Sequence, residues 1–288
     1  MTGIHPANNT GRRASAGAVR SNLALRVASS LVMAPLAIAS AYAGGAVFLA
    51  FWTIAALVVL WEWQQLIGIR DRNPNAAIGA VALVGCAVSL GFGYLPAAVV
   101  LLTLGMLGTA ILASKAQRTW RIAGLLYAAV LIFAPVVLRQ DVPWGFCAIL
   151  FLFVIVWLTD MAAYFAGRAL GGPKLMPRIS PNKTWSGAIA GALAGVGGGL
   201  GVALAFGIEN LVAVAIIGLG FSVVAQGGDL VESAVKRVFD VKDAGGIIPG
   251  HGGLMDRLDG FLAAAAAAAL IGLMRGGIDT PAQGLMIW

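Results

Sequence analysis

Charge is what this sequence has least of. Only 11% of its 288 residues are Asp, Glu, Lys or Arg, against roughly a quarter in ordinary soluble domains. A soluble domain of this length must present polar groups to water over its exterior. Soluble enzymes, coiled coils and disordered chains are therefore excluded. Cysteine is nearly absent as well: Cys86 and Cys147 are the two copies, and both sit inside apolar runs. They read as small buried hydrophobes, which excludes a disulfide scaffold. The 12 acidic residues are outnumbered by 19 basic ones, for a net charge of +7. Nucleic-acid binders gather Lys and Arg on one water-exposed surface. Here the basic residues lie in short loops between apolar runs, which excludes nucleic acid and points to anionic lipid or phosphate at a membrane face. What the chain has in excess is apolar: 60% of the residues, with a mean hydropathy of +0.90. The class is all-α, a polytopic integral membrane helix bundle.

A bilayer core about 30 Å thick takes roughly 20 helical residues to cross. Charge-free runs extend from Val27 to Trp61 and from Asn73 to Ser114, each long enough for two spans. Gly44-Gly45 breaks the first, and the stretch from Gly91 to Pro96 breaks the second. Single-span runs follow at Ile122–Leu138, Val142–Thr159, Thr184–Ile208 and Asn210–Gly228, with a short last one at Gly260–Met274. The expectation is about nine transmembrane helices with the N-terminus cytoplasmic. Basic residues check it, because cytoplasmic loops are enriched in Lys and Arg. With this topology all of the 19 basic residues except Arg139 and Arg275 fall on the cytoplasmic side. One helix miscounted in the middle would destroy the asymmetry.

Residues 1–22, polar and rich in small residues, read as a disordered cytoplasmic tail rather than a cleaved signal peptide. Residues 23–140 read as a scaffold of transmembrane helices and residues 141–288 as a catalytic transmembrane domain, since the first half carries only Glu62 and Asp71 as acids. Glycines at Gly187, Gly191, Gly195 and Gly197–Gly199 read as small-residue helix packing.

Polar residues gather in three segments that approach one membrane face. In the first, Asp160, Tyr164 and Arg168 are spaced to share a helix face, and an ionisable group near membrane depth favours function. The second, Pro173 to Thr184, carries three prolines that forbid a continuous helix. Ser180 or Asn182 is expected to cap the next span beside Lys174, Arg178 and Lys183, an arrangement suited to phosphate. The third puts Gln226, Asp229, Glu232, Ser233 and Lys236 on one stripe of a helix. Its two carboxylates would repel unless a cation or proton lay between them. A Gly-rich turn with Gly245-Gly246 and Pro249-Gly-His-Gly-Gly253 then leads to Asp256-Arg257-Leu-Asp259. Backbone N–H groups of such a turn can cradle phosphate. Asp256 and Asp259, three apart, can offer oxygens to a hard divalent ion.

The stretch from Ser233 to Asp259 resembles, along its whole length, the signature of the phosphatidate cytidylyltransferases (CDP-diacylglycerol synthases), including Lys242-Asp243 and His251-Gly-Gly253. Asp160…Gly167-Arg168, Ser180-Pro-Asn-Lys-Thr184 and Gln226-Gly-Gly-Asp229 are similar to that family too. The resemblance in motifs covers the C-terminal half. It departs at Ser186, where many members carry Glu or Gln, so no site role is assigned there. The resemblance implies transfer of a cytidylyl group from CTP to phosphatidic acid with Mg²⁺, at the cytoplasmic face of a bacterial inner membrane. It implies metal ligation by Asp229 and Asp256, supported by Glu232 and Asp259, with Lys236 and His251 joining Asp229 and Asp256 in catalysis. Substrate contacts then fall to Asp160, Arg168, Ser180, Asn182 and Lys183. From the signature itself come Ser233, Arg237, Lys242, Asp243, Gly252, Gly253 and Arg257. A transporter with intramembrane carboxylates, and a transferase using another lipid phosphate or nucleotide, are the rival readings. A homodimer stays open.

Overall fold

Apolar helices with abrupt glycine breaks make up most of the described residues. The computed structural model describes residues 31–69, 74–247 and 252–288. The expected N-terminal tail, Arg70, Asp71, Arg72 and His251 lie outside these residues. In chain order the helices begin with α1 (Leu31–Ala43), α2 (Gly45–Leu66), α3 (Pro74–Gly91), α4 (Leu95–Leu112) and α5 (Arg118–Gln140). The second half holds α6 (Gly145–Leu170), strands β1 (Lys174–Met176) and β2 (Ser180–Thr184), then α7 (Trp185–Ala205), α8 (Leu211–Val238), α9 (Met255–Gly276) and a short α10 (Pro281–Met286).

Among the described residues, seven helices are long and apolar enough to cross a membrane: α2 and α4 to α9. The apolar parts of α1 and α3 are shorter. Large side chains on the outside are apolar: Val81, Ile111 and Val212 are 71%, 76% and 72% exposed, an exterior made for lipid rather than water.

The breaks have local causes. Gly44 and Gly45 both have left-handed φ, 64° and 49°, which costs glycine little. A Cβ at Gly44 would also strike the Arg139 guanidinium. The guanidinium donates from Nη2 to the carbonyl of Tyr42 and from Nε to that of Ala41, satisfying end carbonyls of α1.

Two expectations need correction. The proline-rich segment is not simply a loop: β1 and β2 pair antiparallel, Lys174 opposite Thr184 and Met176 opposite Ser180. The cap of α7 is neither Ser180 nor Asn182. Thr184 Oγ1 accepts from Gly187 N at 3.2 Å, because the strand holds Ser180 and Asn182 extended and too early in the chain. Ser186 donates to the carbonyl of Gly171, a local tie that closes the hairpin onto α6.

The α6–α7 pair packs more extensively than any other, and the glycines explain it. A Cβ on Gly191 would stand 2.7 Å from the Thr159 carbonyl oxygen, and one on Gly195 would stand 2.5 Å from Thr159 Oγ1. Gly198 and Gly199 meet α6 in the same way, whereas Gly197 faces open space. An aromatic cluster then joins the halves. Trp52 of α2 stacks on Phe261 of α9 with centroids 4.9 Å apart, and Phe153 of α6 lies 5.1 Å from the same ring. Cys86 and Cys147 are free and buried.

Candidate active site

Both α6 and α8 run on past the apolar segments that define them in sequence. The 28 residues of α8 span about 42 Å at 1.5 Å per residue, more than the roughly 30 Å hydrocarbon core. The extra turns carry the polar residues. With the hairpin and the start of α9 they enclose a cavity of about 680 Å³.

Asp160, Tyr164 and Arg168 all line it, as their spacing on one helix face requires, and Arg168 Nη1 donates to the Tyr164 hydroxyl at 3.1 Å. The hairpin contributes Asn182 and Lys183. Lys183 Nζ reaches across to Asp229 at 2.5 Å. Ser233 Oγ donates to the other oxygen of Asp229 at 3.3 Å.

Asp229, Glu232 and Asp259 each bring a carboxylate oxygen within 4.8 Å of the others. Two glycines allow this meeting of α8 and α9. A Cβ on Gly228 would lie 2.8 Å from the Asp259 carbonyl oxygen, and one on Gly260 would lie 3.2 Å from that of Ala225. Opposed oxygens around Mg²⁺ stand about 4.2 Å apart, given metal–oxygen distances of about 2.1 Å. The three acids are thus close enough to share a hard divalent ion with small side-chain movements, and their oxygen chemistry suits one.

Behind this cluster, Lys236 Nζ lies 2.6 Å from Glu232 and 2.6 Å from Asp256. Glu232 is only 2% exposed, so its charge is opposed by an ammonium group rather than by water. Asp256 lines the cavity as well, next to Glu232 across the ammonium group that both carboxylates share. Besides Lys236, its carboxylate accepts from Gly253 N at 2.8 Å and Ala244 N at 3.1 Å. Lys174 and Arg257 complete the basic lining.

Other expected residues lie elsewhere. Arg237 Nε donates to the carbonyl of Ile179 at 3.3 Å, tying α8 to the hairpin turn. Ser180, Lys242 and Asp243 are not among the cavity-lining residues, and Lys242 and Asp243 are exposed. Gly252 adopts a left-handed φ of 84° beside Asp256, and Gly253 uses its amide on that carboxylate.

Three participants have no counterpart in the motif reading. Glu62 of α2, fully buried, accepts from Leu254 N and Met255 N at the start of α9, at 2.8 and 2.7 Å. Thr159 and Ser222 share a buried 2.7 Å hydrogen bond between α6 and α8. An acid at the edge of an apolar run was the available signal for Glu62. Nothing in spacing signals the other two.

Residues 24–274 match the model of the cytidylyltransferase family. A phosphatidate cytidylyltransferase of Brucella suis biovar 1 is 44% identical over 268 residues, covering 91% of this chain and 97% of the relative. One of Pseudomonas aeruginosa is 34% identical over 255 residues, covering 83% and 93%. One of Bacillus subtilis is 44% identical over 120 residues, 41% of this chain and 45% of its own.

Proposed function

The chain belongs to the cytidylyltransferase family, and from that premise we propose that it transfers a cytidylyl group from CTP to phosphatidate. The products are CDP-diacylglycerol, a phospholipid precursor, and pyrophosphate. The observation that carries the reading is the convergence of Lys183, Arg168 and Arg257 with Asp229 and Asp259 on one cavity, at one end of an otherwise apolar bundle.

The chemistry needs no protein nucleophile. A phosphomonoester carries between about one and a half and two negative charges near neutrality. Its oxygen attacks the α-phosphorus of CTP, a new P–O bond forms, the α–β bridge breaks, and pyrophosphate leaves with the charge. The obstacle is repulsion between two anions, so the work is positioning and charge neutralisation. Lys183, Arg168 and Arg257 hold phosphate oxygens. Asp229, Glu232 and Asp259 would hold Mg²⁺, which supplies positive charge at the triphosphate. We assign Asp256 to fixing Lys236 and the backbone before α9, a duty its three donors support. Tyr164 and Phe165, 60% and 66% exposed, meet edge-on with ring centroids 5.4 Å apart, an aromatic pair of the kind found at membrane interfaces, where the lipid substrate arrives sideways.

In this reading nine helices span a bacterial inner membrane. The N-terminus and the cavity face the cytoplasm, where CTP is available, and the helices before residue 141 brace the reacting half. Incubating the purified protein with CTP, Mg²⁺ and phosphatidic acid vesicles should yield CDP-diacylglycerol and pyrophosphate in equal amounts. Turnover of another nucleotide, or of a polyprenyl phosphate, with none from this pair would overturn the assignment. Labelling of Lys183→Cys by an impermeant reagent should occur from the cytoplasmic side alone.

A further inference from the structure

Glu62 is the one acid of the described first half buried within a helix, and its place is unusual. It belongs to α2, yet its carboxylate lies at the start of α9, 192 residues later in sequence. Each oxygen takes a backbone N–H there, Oε1 from Leu254 and Oε2 from Met255. A carboxylate at a helix N-terminus also opposes the positive end of the helix dipole. The chain is pressed against it from two further directions. A Cβ on Gly245 would stand 2.7 Å from Oε1, and one on Gly253 would stand 2.9 Å from both oxygens. Glycine at these positions lets two separate pieces of backbone close around one side chain.

Asp256 works the same ground from the other side, accepting from Ala244 N and Gly253 N. Between them the two acids collect the amides of Ala244, Gly253, Leu254 and Met255. That set fixes the first turn of α9, which delivers Arg257 and Asp259 to the cavity.

We propose that Glu62 is a positioning residue for the nucleotide: its carboxylate sets the first turn of α9 so that Arg257 meets the triphosphate. The inference rests on the proposed reaction. It assigns to the supposed scaffold half a direct hold on the reacting half, and a hold on one substrate rather than both. Glu62 touches no substrate, so its effect passes through Arg257 and the backbone at Gly253 to Met255.

The test is Glu62→Gln, which keeps the shape but points an amide NH₂ at one of the two N–H donors. Loss of one charge-assisted hydrogen bond corresponds to a change on the order of 10–100-fold. The expected result is that KM for CTP rises by that factor while KM for phosphatidate stays within about twofold. Amide exchange at Leu254 and Met255 should quicken, with exchange in the middle of α9 unchanged. Gly245→Ala, which pushes the same carboxylate from outside the helices, should reproduce the CTP effect, and it serves if Glu62→Gln does not fold. Unchanged KM for CTP in a folded variant, or an equal rise for both substrates, would overturn the assignment. Failure of the wild-type protein to use CTP at all would instead sink the reaction, and the exchange measurement would still report whether Glu62 holds α9.

Discussion

The two halves of this molecule differ in what their charged side chains hold. In α1 to α5 polar side chains are spent on backbone: Arg139 on the end of α1, Gln140 on the Leu90 carbonyl at the end of α3, Trp63 on the Trp120 carbonyl. In α6 to α9 charged side chains also hold one another: Lys183 holds Asp229, and Lys236 holds Glu232 and Asp256. A backbone group has no other use, so the first kind of bond is permanent architecture. Two side chains that hold each other beside a cavity can exchange partners when an anion or a cation arrives. Lys183 and Asp229 are 26% and 34% exposed, where an ion pair contributes little net stability and is cheaply opened. Reactivity therefore concentrates where the charges are mutual, and rigidity where they are capped.

The sharpest way to break this contrast is to remove acids from the reacting half. Asp229→Ala and Asp259→Ala should each lower turnover on the order of 10²–10³-fold, the size expected for a group acting on developing charge, while the folded protein persists in a thermal melt. Near-normal rates at low Mg²⁺ would take that residue out of the ion site. Asp256→Ala should behave differently, losing turnover and also about 1–3 kcal/mol of stability, because the amides of Ala244 and Gly253 lose their acceptor and Lys236 keeps only Glu232. A melt unchanged from wild type would place Asp256 with the exchangeable acids after all.

Lys183→Met should reduce kcat/KM for CTP on the order of 10–100-fold, as loss of a charge-assisted contact does, with no loss of stability. A drop in melting temperature alongside full activity would make the hairpin lysine architectural. The smallest effect on turnover belongs to the first half. Arg139→Met should cost about 1–2 kcal/mol of stability by freeing carbonyls at the end of α1, with turnover within about twofold of wild type. A large loss of activity in a well-folded Arg139→Met protein would erase the distinction between the halves.

How much of this was readable in the chain follows the range of each interaction. The breaks at Gly44-Gly45 and between Gly91 and Pro96 fall where the glycines and proline put them, because a helix ends for local reasons. Asp160, Tyr164 and Arg168 line one cavity because a helical period is a local rule too. The hairpin escaped notice, since prolines forbid a helix without naming what replaces it. The cap fell to Thr184 because it stands directly before α7, whereas Ser180 lies four residues earlier, at the start of β2. Glu62 was visible only as an acid at the edge of an apolar run. That its partners are Leu254 and Met255 depends on how α2 crosses α9.

By itself the sequence determined that the protein belongs in a bilayer, where its main helices run, and that carboxylates and basic groups gather at one end of them. Hydropathy and helical period decide those things within a few turns of chain, because backbone in lipid must satisfy its own hydrogen bonds. Tertiary structure decided which oxygens meet: Asp229 and Glu232 with Asp259, Asp256 with Lys236, Glu62 with the first amides of α9. Those choices follow from how closely Gly228 and Gly260 let two helices approach, a distance set by packing between segments.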